Sequence, residues 1–319
     1  MPPCYRPAAA HPKKAASRPR SILAPDRGAM LGTAPTMGQK KAKKHSKKTP
    51  APAKKVLTAK SADRYVLYQE SVQLPEHEVD LATSYFKKRY GRKPMSLRED
   101  FCGTALLCAE WVKSHADRTA TGVDIDPQVL AWGREHNLAP LGASASRVAL
   151  RQEDVRTVVT PEHDVVMALN YSYFYFKDRG TMRGYFENVR RGLADEGLFF
   201  LDLFGGWESV QVLREERKQK GFWYEWDQAS FNPIDHHFLG YIHFRFPDGT
   251  KMRKAFTYDW RLWTIPELKE ILHEAGFGRV DVLWEEEDAD GEGTGVFKPR
   301  SIVDNDPGYN AYLLASVSG

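Results

Sequence analysis

Cysteine is scarce in this chain: Cys4, Cys102 and Cys108 are the only three among 319 residues. Three thiols cannot build a disulfide framework, and no pair has the Cys-x-x-Cys spacing of a zinc site. A reducing compartment is expected. No apolar run approaches the roughly 18 residues that span a bilayer, so neither a transmembrane helix nor a membrane partner is expected. No Ser/His/Asp arrangement stands out. The adjacent His236 and His237 would point to opposite faces of a strand, so no metal site is expected. Acids are nearly missing from the first sixty residues, which hold fifteen Lys or Arg against the single acid Asp26. The rest of the chain holds 31 basic and 41 acidic residues. The pI of 8.8 therefore describes the basic segment. An acidic body argues against a broad nucleic-acid-binding surface.

Residues 1–55 are rich in Pro, Ala, Lys and Ser and almost without aromatics. Such a segment buries too little apolar area to offset its ordering entropy, and a disordered basic tail is expected. Its run from Gln39 to Lys48 reads first as a solvated, solubilising stretch. It is also the one feature that would tether RNA or another polyanion. A cytoplasmic location is expected. The alternative is organelle import, since residues 1–36 contain Arg and few acids. The prolines spoil the amphipathic helix of such a leader, and Met30 and Met37 are candidate starts.

Beyond it, residues 56–94 read as an N-terminal helical cap segment, with Val79, Ala82, Tyr85 and Phe86 at helical spacing in 76–90. Strands then alternate with helices. The strand candidates are Met95–Asp100, Ala120–Asp124, Arg147–Gln152, Asp164–Leu169 and Gly197–Leu203. The helices between them are Thr104–His115, Pro127–Asn137 and Asp178–Leu193. This rhythm predicts a parallel sheet covered on both faces. The stretch 221–260 breaks it with twelve aromatic residues around the turn Pro247-Asp248-Gly249-Thr250, and predicts an antiparallel hairpin or small sheet inserted after the fifth strand, over about 207–260. A capping box at Thr264 and Glu267 opens a late helix that Gly276 stops. Strands Arg279–Glu286 and Tyr309–Val317 close the chain, with a long acidic loop between them.

The chemistry concentrates after the first strand, in Leu97-Arg98-Glu99-Asp100-Phe101-Cys102-Gly103-Thr104-Ala105. The first strand-to-helix turn of a doubly wound sheet lies at the ligand crevice, and small residues there let a ligand approach the backbone. Asp124 ends the next strand, where a carboxylate can accept both hydroxyls of a ribose. Asp154 follows the third strand, where an acceptor can meet an adenine amino group.

In order and spacing these segments resemble class I S-adenosylmethionine-dependent methyltransferases. Glu99 takes the acid position of motif I. Phe101, Gly103 and Ala105 take its three glycine positions, with Cys102 and Thr104 between them. Gly122-Val123-Asp124-Ile125-Asp126 resembles motif II, and Gln152-Glu153-Asp154-Val155 the adenine-contacting stretch. His163–Val166, Arg190–Gly197 and the ending Glu274-Ala275-Gly276-Phe277 resemble the later landmarks. The resemblance covers about residues 95–317, within a domain of 95–319. It implies an α/β fold with a Rossmann-like, doubly wound, seven-stranded sheet whose last strand is antiparallel. The implied cofactor is S-adenosyl-L-methionine, held by Glu99, Phe101, Cys102, Gly103, Thr104, Ala105, Asp124, Ile125, Asp154, Val155 and Asn170. After the fourth strand, Asn170 and Tyr171 would face the transferable methyl and are the catalytic candidates. Tyr65 and Tyr68 offer aromatic faces for a sulfonium or a cationic substrate. A nicotinamide-binding domain would need Gly-x-Gly-x-x-Gly, which is absent. A small-molecule acceptor is expected, under a cover formed by the insertion. The alternatives are an RNA or protein acceptor, and a non-catalytic cofactor-binding scaffold.

Overall fold

The computed structural model describes residues 56–289, 291 and 293–318. The basic segment 1–55 and Cys4 lie outside the described residues. Two helices lead the chain. The carboxylate of Asp63 caps α1 (Arg64–Val72) through the N–H groups of Tyr65 and Val66. Next, α2 (Pro75–Tyr90) starts on a proline and ends at the left-handed Gly91. The alternating part follows as β1 (Ser96–Asp100), α3 (Leu106–Lys113), β2 (Thr119–Asp124), α4 (Pro127–Gly133), β3 (Val148–Gln152), β4 (His163–Ala168), α5 (Arg179–Arg191) and β5 (Leu193–Gly205). Asp126 caps α4, which continues beyond Gly133 as a wider π-type turn over Arg134–Leu138.

Four antiparallel strands then form a separate sheet: β6 (Leu213–Gln219), β7 (Phe222–Asn232), β8 (His237–Arg245) and β9 (Lys251–Arg261). The inserted sheet thus has a strand more at its start than the aromatic stretch alone marks, because the charged segment Leu213–Gln219 pairs along β7. Helix α6 (Ile265–Glu274) carries the expected capping box. The chain closes with β10 (Arg279–Glu287), β11 (Gly293–Pro299) and β12 (Tyr309–Ser316).

The main sheet runs β11-β10-β12-β5-β4-β1-β2-β3. Strands β1 to β5 are parallel, and β12 is antiparallel to both β5 and β10. Seven of these strands make the expected doubly wound sheet, with the last strand, β12, antiparallel. The eighth, β11, corrects the reading of 287–308 as a loop: it pairs with the exposed edge of β10 and buries Phe297 edge-on against Tyr312. One face of the sheet packs on α2 and α3 through Val79, Phe86, Leu107 and Trp111. The other joins α5, α6 and the second sheet in one core. Alternation in β8 turns Phe238, Ile242 and Phe244 into that core, and leaves Tyr241 on the opposite side against Lys254.

Candidate active site

β1 ends beside β2 and β4, with Asp100 in register with Val123 and Ala168. From this point β2 and β3 extend the sheet one way, and β4 and β5 the other. The crevice between β1 and β4 is therefore the topological switch point where open α/β sheets bind ligands.

The turn leaving β1 is strained. Phe101, Gly103 and Ala105 have φ of 56°, 51° and 55°. Two of them carry side chains, and each such residue costs about 1–3 kcal/mol unless its surroundings enforce it. Here β2 supplies that enforcement. The N–H of Cys102 donates to Val123 O (3.0 Å), and that of Gly103 to the Asp124 carboxylate (2.8 Å). The other Asp124 oxygen accepts the Asp126 N–H (2.9 Å). Burial raises the Asp124 carboxyl above the usual range, and these N–H donors oppose the rise. A Cβ built on Gly103 would meet nothing closer than 4.0 Å, so the outer side of the turn is open. The Phe101 ring turns toward Phe176 and Tyr185, with centroids 5.7 and 5.8 Å away.

A cleft of about 470 Å³ opens over this end of the sheet, lined by Phe101, Asp124, Ile125, Asp154, Val155 and Phe176 among others. The Asp154 carboxylate pairs with Arg156 (2.5 Å) and caps its N–H (2.9 Å), which holds it below the usual carboxylate range. Val155 is fixed from behind, its carbonyl accepting from the Asn188 amide (2.9 Å). The buried Arg98–Asp100 pair (2.7 Å), with Tyr185 donating to Asp100 (2.9 Å), stiffens the base of the turn.

The other candidates of motif I lie beneath the cleft rather than in its wall. Glu99 accepts the Cys108 N–H (3.1 Å), and burial raises its pKa to about 7. Cys102 and Ala105 pack into the core under the turn. The Thr104 hydroxyl accepts from the Gln69 amide (2.7 Å), so α1 crosses directly over the turn. A second tie holds α1 to α4, from the Trp132 indole N–H to the Asp63 carboxylate (2.8 Å). Tyr65 packs on Trp132, with centroids 5.3 Å apart.

Asn170 and Tyr171 border a different space, a narrow cavity of about 80 Å³ between α1, α2, the second sheet and the segment after β4. Tyr68 also lines it. Both Asn170 and Tyr171 have φ of 57°, and their N–H groups donate to the two oxygens of Asp202 (2.8 and 3.0 Å). Burial pushes the Asp202 carboxyl up to about 7. Glu78 faces the same cavity; burial, with the charges of Asp202, Glu99 and Glu76 adding to it, pushes its carboxyl up to about 8. The sequence reading missed both acids. Asp202 had a usable signal, a single charge inside Leu198-Phe199-Phe200-Leu201-Asp202-Leu203-Phe204. Glu78 had none, because an acid in a first helical turn is ordinary.

The second sheet roofs this region. Tyr175 donates to Thr257 O (3.0 Å), Lys177 pairs with Asp259 (2.5 Å), and Tyr171 meets Trp260 edge-on at 6.1 Å.

No protein-family model matches the sequence, and no curated protein matches it. Solved structures do match the fold. A S-adenosylmethionine-dependent methyltransferase from Clostridium acetobutylicum is similar at 17% identity over 80% of this chain and 98% of its own, with a TM-score of 0.57. The sugar N-methyltransferase KedS8 from Streptoalloteichus sp. is similar at 17% identity over 88% of this chain and all of its own, with a TM-score of 0.55. CalS10, an amino pentose methyltransferase from Micromonospora echinaspora, is similar at 14% identity over 80% and 96%, with a TM-score of 0.57. The chain therefore has the Rossmann-like fold of class I S-adenosylmethionine-dependent methyltransferases.

Proposed function

We propose that this protein is an S-adenosylmethionine-dependent methyltransferase acting on a small-molecule acceptor. The observation that carries the proposal is the strained turn Phe101–Ala105, tied to Asp124 at the switch point of the sheet and open on its outer side. Strain of this kind persists where a ligand needs the backbone in that shape. The cleft fits an adenosine. Phe101, Ile125, Val155 and Phe176 offer apolar walls, and Asp124 keeps spare lone pairs beyond the two N–H groups it accepts. In this reading Asp124 holds the ribose hydroxyls, Asp154 and Val155 border the adenine, and the Gly103 turn faces the amino-acid part with Glu99 beneath it. Bound there, the cofactor supplies an electrophilic methyl group.

The protein's own contribution is alignment and the exclusion of water. Positioning of reactants can lower a barrier by about 7–11 kcal/mol. Asp202 is a positioning residue here, since it locks Asn170 and Tyr171 at the mouth of the cavity. The small size and covered placement of that cavity favour a compact acceptor over RNA or a protein chain. KedS8 and CalS10, methyltransferases of a sugar and of an amino pentose, are small-molecule precedents on this fold.

Calorimetry with S-adenosylhomocysteine tests the proposal. Saturable binding and a raised melting temperature are expected, because a ligand selective for the native state stabilises it. Binding of a nicotinamide dinucleotide with none of S-adenosylhomocysteine would overturn it.

A further inference from the structure

The cavity beside Asn170 has a composition that singles out one class of acceptor. Its walls are aromatic: Tyr68, Tyr171, Tyr224, Trp226, Tyr258 and Trp260. The rings brace one another, Tyr258 and Trp260 at 4.3 Å and Trp226 and Tyr258 at 5.6 Å between centroids. Two carboxyl groups, Glu78 and Asp202, interrupt this surface. Asp202 is held by two backbone N–H groups. The half-buried Glu78 carboxyl has no hydrogen-bond or ion-pair partner among the described residues. One guanidinium, Arg217, lies in the wall over the face of Tyr224 (5.5 Å) and donates to Ser71 O (2.8 Å). With both acids ionised the space carries one negative charge too many.

We propose that this cavity binds the methyl acceptor as a small primary or secondary amine. The ammonium form lies between Glu78 and Asp202 against the aromatic faces, and Glu78 takes its proton. The inference rests on the methyltransferase reading and names the substrate class for it. An ammonium restores charge balance and is attracted to each ring face. An alcohol gains neither, and a carboxylate meets two like charges. The proton passes from the ammonium nitrogen to a Glu78 carboxylate oxygen, which leaves a neutral amine with its lone pair free and a neutral carboxylic acid. A carboxyl raised to about 8 becomes ionised, and able to accept that proton, as pH rises toward this value. Asp202 is the less available acceptor, since its oxygens already hold the backbone of Asn170 and Tyr171, whose N–H groups favour its ionised form.

The test uses the full chain with S-adenosylhomocysteine present, and reads binding rather than turnover. Propylamine and ethanolamine are titrated against propanol and propionate, by calorimetry and by the fluorescence of Trp226 and Trp260 in the wall. Saturable binding of the amines at least tenfold tighter than of propanol is expected. Glu78→Gln should weaken the amines at least tenfold and leave S-adenosylhomocysteine within about twofold. Equal binding of amine and alcohol by the unaltered protein would overturn the proposal, whatever the variant does. So would a Glu78→Gln variant that keeps full amine affinity, or one that loses S-adenosylhomocysteine as severely, since the cavity would then belong to the cofactor. Amine binding without any S-adenosylhomocysteine binding would instead remove the methyltransferase reading and leave an amine site.

Discussion

Phe101 and Ala105 adopt a backbone that glycine adopts freely, and they do so because Asp124 and Val123 hold the turn between them. Asp124 braces the turn, and in the function proposed above it also accepts the ribose hydroxyls. Asp124→Ala should weaken S-adenosylhomocysteine by roughly ten- to a hundredfold, the value of a charge-assisted hydrogen bond of about 1.5–3 kcal/mol. Asp124→Asn, which keeps an acceptor oxygen, should lose less; calorimetry on both variants ranks them. The raised carboxyls make a second prediction. Glu78, Glu99 and Asp202 ordinarily titrate near 4.5, 4.5 and 3.8, but in the fold near about 8, about 7 and about 7. A carboxyl raised on folding contributes stability that is fully present below its unfolded value and lost as pH rises through its folded one. His77 and His163, lowered by burial, act in the opposite sense, but only below their unfolded value of 6.5. Between pH 6.5 and 8 the melting temperature of the ligand-free protein should therefore fall, and Glu78→Gln should flatten the fall. A scan of melting temperature against pH that rises over this interval would contradict the burial of these acids.

At the scale of elements, α4 is pressed against the strained turn. A Cβ on Gly133 would lie 2.4 Å from the carbonyl oxygen and 2.8 Å from the carbonyl carbon of Thr104. Those are backbone atoms that cannot swing aside, and Asn137 already donates to the same oxygen (2.8 Å). Gly133→Ala should cost about 1–3 kcal/mol as overpacking. In a chain of this size that is a melting temperature lower by roughly 2–12 °C. Because the displaced atoms belong to the turn itself, S-adenosylhomocysteine affinity should drop with it. Calorimetry on a variant that is destabilised yet binds normally would show that the turn and α4 move independently. The second sheet shows the same dependence between elements. A hairpin alone would leave its aromatics exposed, but Phe238 and Trp260 pack on Phe204 of β5 and on the segment after β4, which turns the sheet into a roof. Its outer surface carries the charge pairs of Arg245 with Glu216 and Arg214 with Asp227, which keep that face in water.

For the whole molecule, the basic segment and the acidic body are separable in sequence, and the first described contacts begin with Leu57 and with Ala59, whose N–H donates to Thr250 (2.9 Å). Deleting residues 1–55 should leave melting temperature and S-adenosylhomocysteine affinity unchanged, as measured by thermal scan and calorimetry. Loss of turnover on a polyanionic acceptor alone, shrinking as salt rises, would promote a macromolecular substrate. Much of the architecture was legible because it rests on local, periodic signals. Strand-helix alternation, the cap at Asp126, the box at Thr264 and Glu267, and the turn at Pro247–Thr250 depend on neighbours a few residues away. Strand β11 escaped because an edge strand needs only a partner, and its acidic, glycine-containing flanks read as loop. The cleft proposed for the cofactor was legible for the same local reason, since the segments around Glu99–Ala105, Asp124 and Asp154 follow their strands. The proposed acceptor side was legible only through Tyr68, Asn170 and Tyr171. Glu78, Asp202, Tyr224 and Trp260 come from a helix, a core strand and an inserted sheet, and only the closure of that sheet over the segment after β4 brings the four into one cavity. The sequence by itself determined the alternating strands and helices of the sheet and the turn that leaves β1. Tertiary packing alone decided which carboxyls are covered and raised, because burial is a property of what folds over a residue and not of the residue.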